Sequence, residues 1–314
     1  MAIVELQNVC KAYGAKIAVD NLSFRIEPGT MFGLLGPNGS GKTSTIRMMI
    51  GITVPDSGTI QLFGKPFDRN VLKRVGYLPE ERGLYKKMKV MDQLVFLGQL
   101  HGLDAITASK RAHAWCERLQ ITEAIHKKTE DLSKGMQQKI QFISTLLHEP
   151  DLIIMDEPFS GLDPVNATLL IDTLVDLRKS GKTILFSTHR MDQVEKMCDQ
   201  IALIHQSKLV LAGSMREIKS QYPRNRVQMN VTGDMSFLQH PSIESYKDYS
   251  GHVEIKLRSE HGVEPDAQAL LADAIAHGSH ISRFEVTEPT LEEIFIETVG
   301  TVSETNPTGG SLDA

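Results

Sequence analysis

The sequence predicts an α/β fold, a mainly parallel sheet covered by helices on both faces, followed by a small α+β domain. Three observations predict it. Short apolar runs at residues 30–35 (TMFGLL), 151–155 (DLIIM) and 183–186 (TILF) are bounded by polar residues and separated by helix-like stretches. Runs of this kind are strands buried on both faces, as parallel sheets require. A glycine-rich loop follows the first run and leads into a helix at 43–50. Beyond residue 222 the apolar period changes to two, the mark of half-buried strands.

Composition narrows the function classes. The chain has 314 residues, 34 basic and 39 acidic, for a net charge of −5, with 41% apolar and 23% charged residues. These are globular values, and the length suits two domains. A negative balance argues against coating DNA or RNA by bulk charge. Cys10, Cys116 and Cys198 form no CxxC pair, so neither a disulfide framework nor a zinc ribbon is expected. No basic segment followed by a long apolar stretch opens the chain, and the longest apolar run, 48–54, is about seven residues. A membrane span needs roughly 20. A soluble, cytoplasmic protein is expected, one that reaches a membrane only through a partner.

In chain order, the first domain is read as 1–222, with a helical subdomain at about 91–148. Within it Ala108, Ala112, Trp115, Cys116 and Leu119 recur at helical spacing and form one apolar face. The second domain is read as 223–300. Val227, Met229 and Val231 alternate with polar residues, as do Val253, Ile255 and Leu257. Residues 265–277 read as a helix with Ala267, Leu270, Leu271, Ala274 and Ile275 apolar. Thr290 and Glu293 make a capping box for a last helix carrying Leu291, Ile294 and Phe295. The pattern suits a ferredoxin-like α+β domain without a catalytic constellation. Residues 301–314 are polar with Gly and Pro, and are expected to be a disordered tail.

The chemistry begins at Gly36, Pro37, Asn38, Gly39, Ser40, Gly41, Lys42 and Thr43, which fit GxxxxGK[ST] in full; Ser44 follows in the helix. Glycines let backbone N–H groups converge on phosphate oxygens that side chains would keep away. The helix behind the loop points its positive end at the anion. Lys42 is placed to reach β- and γ-phosphates, and Thr43 to ligate Mg²⁺. The run ending in Asp156 and Glu157 supplies the complement. Asp156 would sit beside the Mg²⁺, and Glu157 would polarise the attacking water as general base.

With these motifs in order, residues 3–218 resemble the ATP-binding subunit of ABC transporters, a P-loop NTPase. Leu132, Ser133, Lys134, Gly135 and Met136 resemble the family's LSGGQ signature and precede a helix read at 137–148. The resemblance implies a head-to-tail dimer in which Ser133 and Gly135 of one subunit grip the γ-phosphate held by the other. Ser160, Gly161, Leu162 and Asp163 resemble the D-loop that meets the opposite subunit. His189 resembles the histidine that contacts the γ-phosphate. Tyr13 stands where the family stacks an aromatic on adenine; packing is the alternative reading. ATP and Mg²⁺ are the implied cofactors. The implied partners are a membrane permease on a separate chain and a second copy or paired ATPase subunit, with no nucleic acid. The implied location is the inner face of the cell membrane.

Three residues depart from the family pattern. Glu80 stands where Gln is usual; it offers an oxygen to Mg²⁺ but adds negative charge near the phosphates. Lys134 and Met136 replace a Gly and a Gln, and Lys134 either adds positive potential at the dimer seam or is simply solvated. Residues 80–85 (EERGLY) and 288–295 (EPTLEEIF) are similar to a bacterial subgroup of sodium-extrusion (NatA-type) exporters with a small C-terminal domain. The surface at about 80–90, with Arg82, Lys86, Lys87 and Lys89, is the expected permease contact; a solvated basic loop is the alternative reading. Two other functions compete. One is a ribosome- or DNA-acting ABC ATPase. Ribosome-acting members of that family usually carry two nucleotide domains in one chain, and chromosome-type members separate two halves by a long coiled coil. Here there is one loop, and only about 90 residues separate it from the signature, without sustained heptads. A small-molecule kinase would explain the phosphate loop but not Ser133, Asp163 and His189 in sequence.

Overall fold

The computed structural model describes residues 1–81, 83–258 and 265–304. The chain forms two compact units, Met1–Ser214 and Met215–Ala314.

The first unit holds two sheets. One is antiparallel: β1 (Val4–Tyr13), β2 (Lys16–Ile26), β4 (Ser57–Leu62) and the two-residue β5 (Lys65–Pro66), in the order β2-β1-β4-β5. The sequence reading assigns no strands here. The reason lies in the β1–β2 ladder, whose register shifts three times between Leu6 and Ala12. Bulges break the two-residue period that marks a strand.

The other sheet comprises β3 (Met31–Leu35), β6 (Val75–Leu78), β7 (Leu152–Asp156), β8 (Thr183–Thr188), β9 (Gln200–His205) and β10 (Lys208–Ser214). Its order is β10-β9-β3-β8-β7-β6, parallel throughout except for the β9–β10 hairpin. Every residue of β3, β7 and β8 is buried, which is why these strands read as unbroken apolar runs. Between them run α1 (Lys42–Met49), α5 (Pro164–Lys179) and α6 (Met191–Met197). Between β6 and β7 the chain inserts α2 (Val90–Leu100), α3 (Ala105–Arg118) and α4 (Lys134–Leu146). Ala108, Ala112 and Cys116 form the buried face of α3, and Trp115 is half-buried. One continuous core joins both sheets and α1, and Phe24 of β2 stacks on Phe32 of β3 at 5.3 Å between ring centres.

The second unit contains α7 (Met215–Ser220), β11 (Arg226–Thr232), β12 (Ile243–Asp248), β13 (His252–Leu257), α8 (Ala267–Ala276), β14 (His280–Thr287) and α9 (Leu291–Glu304). Its antiparallel sheet runs β12-β13-β11-β14. This is the ferredoxin-like strand order, with a short 3-10 turn, Ser236–Gln239, where the first helix would stand. The alternating Val227, Met229, Val231, Val253, Ile255 and Leu257 are all buried, together with Ala267, Leu270 and Ala274 of α8. Ile275 is 60% exposed, because it falls on the far side of α8. Thr290 and Glu293 bond reciprocally, Thr290 N to Glu293 Oε2 at 2.9 Å and Glu293 N to Thr290 Oγ1 at 3.3 Å. Helix α9 continues to Glu304, past residue 300 where the sequence reading begins its tail. Residues 305–314 lie outside the described residues.

Candidate active site

The site lies where β3, β7 and β8 end, at the carboxyl edge of the parallel sheet, the usual ligand crevice of such sheets. After Leu35 the chain turns through residues 36–41 into α1. Gly36, Gly39 and Gly41 take φ values of 150°, 78° and 113°, a region that side chains disfavour. Space is as restrictive as torsion: a Cβ on Gly36 would lie 2.1 Å from Ile204 O, and one on Gly41 2.3 Å from Ala18 O. Lys42, the first residue of α1, is buried. Its Nζ donates to Gly36 O (2.7 Å) and Pro37 O (3.0 Å) and lies 3.9 Å from Glu157 Oε1. Burial pulls the Lys42 ammonium below its ordinary pKa; the carboxylates of Glu157, Asp156 and Glu80 oppose that shift.

Strand register places the acidic pair. Asp156, last in β7, lies opposite Ser187 of β8. The Ser187 hydroxyl donates to Asp156 Oδ1 at 2.5 Å. The Glu157 N–H donates to both Ser187 O (3.2 Å) and Ser187 Oγ (3.1 Å). Glu157 sits at φ 48°, left-handed for a non-glycine residue. Such strain clusters at sites where a side chain must be aimed. His189, just past β8, brings Nδ1 to 3.1 Å from Glu157 Oε1.

An open cavity of about 380 Å³ is lined by Tyr13, Lys16, Ala18, Asn38, Gly39, Gly41, Lys42, Thr43, Ser44, Glu80 and Glu157. Tyr13 ends β1 and is 46% exposed, with Lys11 Nζ 5.6 Å from its ring centre. The sequence reading passes over Lys16, since a lone cation in a hairpin carries no signal. It also assigns no role to Ser187, although the Ser-Thr-His run after an apolar strand was its available signal.

Other expected residues lie elsewhere. Asp156 is buried outside the cavity lining. His189 does not line the cavity either; its ring is turned to Glu157. Ser133 is exposed and caps α4, its Oγ accepting from Met136 N at 3.3 Å. The helix therefore starts at Lys134, three residues before the expected 137, because that cap closes its first turn. Ser160, Gly161, Leu162 and Asp163 follow Glu157, and Asp163 caps α5 through Asn166 N (3.0 Å). Gly135 faces this segment: a Cβ there would lie 3.4 Å from Asn166 Nδ2. Neither segment lines the cavity.

A divalent cation fits the donor set. Asp156 Oδ2 and Ser40 Oγ are both buried without a hydrogen-bond partner. With Thr43 and Glu80 they are hard oxygen donors of the kind Mg²⁺ prefers. Among the described residues no cluster of three or more His, Cys, Asp or Glu could hold a metal unaided. That agrees with an ion shared between one or two carboxylates and substrate phosphates.

A glycine-rich loop opening a helix, an acidic pair on the neighbouring strand and a cavity between them define a phosphate-loop nucleotide-binding protein. Residues 19–160 match the family model described as ABC transporter, and residues 213–299 the model described as ATP-binding protein DrrA1-3-like, C-terminal domain. The chain is 44% identical over 303 residues to ABC transporter ATP-binding protein YhaQ of Bacillus subtilis (strain 168), covering 96% of this chain and 100% of that protein. It is 37% identical over 220 residues to Nod factor export ATP-binding protein I of Cupriavidus metallidurans, covering 69% and 73%. A solved ATP-binding subunit of an ABC transporter superposes with a TM-score of 0.65 at 28% identity, over 70% of this chain and 92% of that one. The chain belongs to the family of ABC transporter ATP-binding proteins. Membership implies ATP binding and hydrolysis.

Proposed function

We propose that this chain hydrolyses Mg²⁺-bound ATP between two copies of itself, or with a paired ATPase subunit, and so drives an exporter permease on a separate chain. The observation that carries the reading is a division of labour. The cavity offers one face for a nucleotide, with Tyr13 for the base, the loop 36–44 for the phosphates and Glu157 for water. The exposed Ser133 and the half-buried Gly135, at the N-terminus of α4, lie outside that cavity. A helix N-terminus suits an anion, and Ser133, whose Oγ already caps that end, keeps its own O–H to donate, so a second copy can complete the site.

In this reading Lys42 neutralises phosphate charge, and Thr43, Asp156 and Glu80 hold Mg²⁺, which would balance charge on the β- and γ-phosphates. Glu157 accepts the proton of the attacking water. His189, donating Nδ1–H to Glu157 Oε1, fixes that carboxylate's orientation. Loss of the γ-phosphate lets the dimer open, a two-state switch. The permease contact is the surface near 80–90. There Tyr85 and Phe96 pack edge to face at 5.9 Å and are exposed beside Lys86, Lys87 and Met88. Arg82, expected to contribute, lies outside the described residues. No described helix is long and apolar enough to cross a membrane; docking would hold the chain at the inner face of the cell membrane. The Nod factor export relative, and the similarity of residues 80–85 and 288–295 to sodium-extrusion exporters, favour export.

The test is Glu157→Gln, which keeps the shape and removes the base. Gel filtration with ATP and Mg²⁺ should show this variant as a dimer and the unaltered chain mainly as a monomer. A variant that stays monomeric would overturn the dimer mechanism.

A further inference from the structure

Helix α4 carries a polar stripe on a buried face. Gln138, Gln141, Thr145 and, just past the helix, His148 follow at i, i+3, i+7 and i+10, one side of a helix. Each meets backbone carbonyls. Gln138 Nε2 donates to Pro158 O, next to Glu157, at 3.2 Å. Gln141 Nε2 donates to Pro79 O and Glu81 O, both at 3.1 Å. Thr145 Oγ1 lies 3.3 Å from Tyr77 O and 3.0 Å from Gln141 O, sharing its proton between them. His148 Nε2 lies 3.1 Å from Val75 O.

The acceptors 75, 77, 79 and 81 alternate along one segment. That segment is β6 and its extension, the last strand in the sheet order. Strand period two sends alternate carbonyls outward from such an edge, and α4 receives them. Gln141 holds the critical tooth. It is 4% exposed, and its two acceptors flank Glu80. Two carbonyls must face the amide nitrogen, so the orientation of the Gln141 amide is settled. Its Oε1 is then buried without a partner. An orphaned buried oxygen costs stability, so packing alone would favour an apolar residue here.

We infer that Gln141 is a positioning residue for ATP hydrolysis: it clamps the Glu80-bearing turn to the signature helix, so that Glu80 is aimed only while α4 is seated. This rests on the reading that the cavity is an ATP site containing Glu80. It also links Ser133, at the start of α4, to the Glu80 edge of the cavity in the same chain. Movement of the signature helix on dimer closure would then move Glu80.

The test pairs Gln141→Met, which keeps length and removes both donors, with Glu80→Ala in a double-mutant cycle. Gln141→Leu replaces it if the Met variant does not fold. In the unaltered background kcat should fall about ten-fold with KM for ATP within about two-fold, since aim is lost and not binding. In the Glu80→Ala background the same substitution should change kcat by less than about two-fold. Hydrogen exchange of residues 75–81 should quicken in the Met variant while the melting temperature holds. Equal losses of kcat in both backgrounds, or unchanged exchange at 75–81, would overturn the role. An inactive unaltered chain would instead overturn the ATPase reading, and this role with it.

Discussion

At the residue scale the phosphate loop is decided by backbone geometry that only glycine permits. Gly41 combines φ 113° with an approach of 2.3 Å between a built Cβ and Ala18 O. Gly41→Ala should therefore distort the loop that feeds N–H groups to the phosphates. A strained position of this type costs about 1–3 kcal/mol. We expect ATP affinity, followed by equilibrium dialysis, to fall by about ten-fold or more. Unchanged affinity would mean that the phosphates bind elsewhere. The loop was legible in the sequence because its function resides in eight consecutive residues. Glu157 was legible as a carboxylate after an apolar strand. Its left-handed backbone and its bonds to Ser187 and His189 were not, because they join residues about 30 positions apart through strand register.

At the element scale α4 shows how one helix serves two ends. Its first turn is capped by Ser133, and its far end is tied to β6 through His148. The His148 ring stacks on His101 at 3.9 Å between centres. Burial first, then the charge of His101, hold the His148 pKa down at about 4, from an ordinary 6.5. Arg111, donating to Leu147 O, and Lys182, donating to Glu149 O, add positive charge to the same neighbourhood. The folded chain keeps this imidazole neutral where the unfolded chain would protonate it. Stability from this group is thus present above pH 6.5 and is lost as pH falls toward about 4. His148→Gln keeps a donor for Val75 O without a titrating ring. Its melting temperature should fall less steeply than that of the unaltered chain between those pH values. Parallel curves would remove His148 as the cause. The antiparallel strands β1 and β2 mark the limit of pattern reading: their bulges erase the period, and only pairing with β4 and packing on α1 reveal them.

At the scale of the whole molecule, half of the proposed catalytic machinery does not line the cavity of its own chain. In the proposed dimer, Ser133, Gly135 and the 160–163 segment would meet a nucleotide only when a second subunit brings one. The proposed permease surface near Tyr85 and Phe96 would likewise act only in an assembly. Tagging the chain and solubilising membranes in mild detergent should co-purify a polytopic membrane protein in fixed proportion. Recovery of ribosomes or nucleic acid, with no membrane protein, would reverse the transport reading.

What the sequence by itself determined was the chemistry that is local. Contiguous motifs specify a phosphate loop, an acidic strand end, a helix cap and an alternating strand, because each depends on neighbours within a few residues. The tertiary structure decided everything that depends on distant segments meeting. It placed Lys16 in the cavity, turned His189 to Glu157, and set Gln141 on the carbonyls flanking Glu80. The physical reason is the buried hydrogen bond. A side chain's partner there is chosen by which backbone edge the fold leaves open, and no spacing along the chain records that choice.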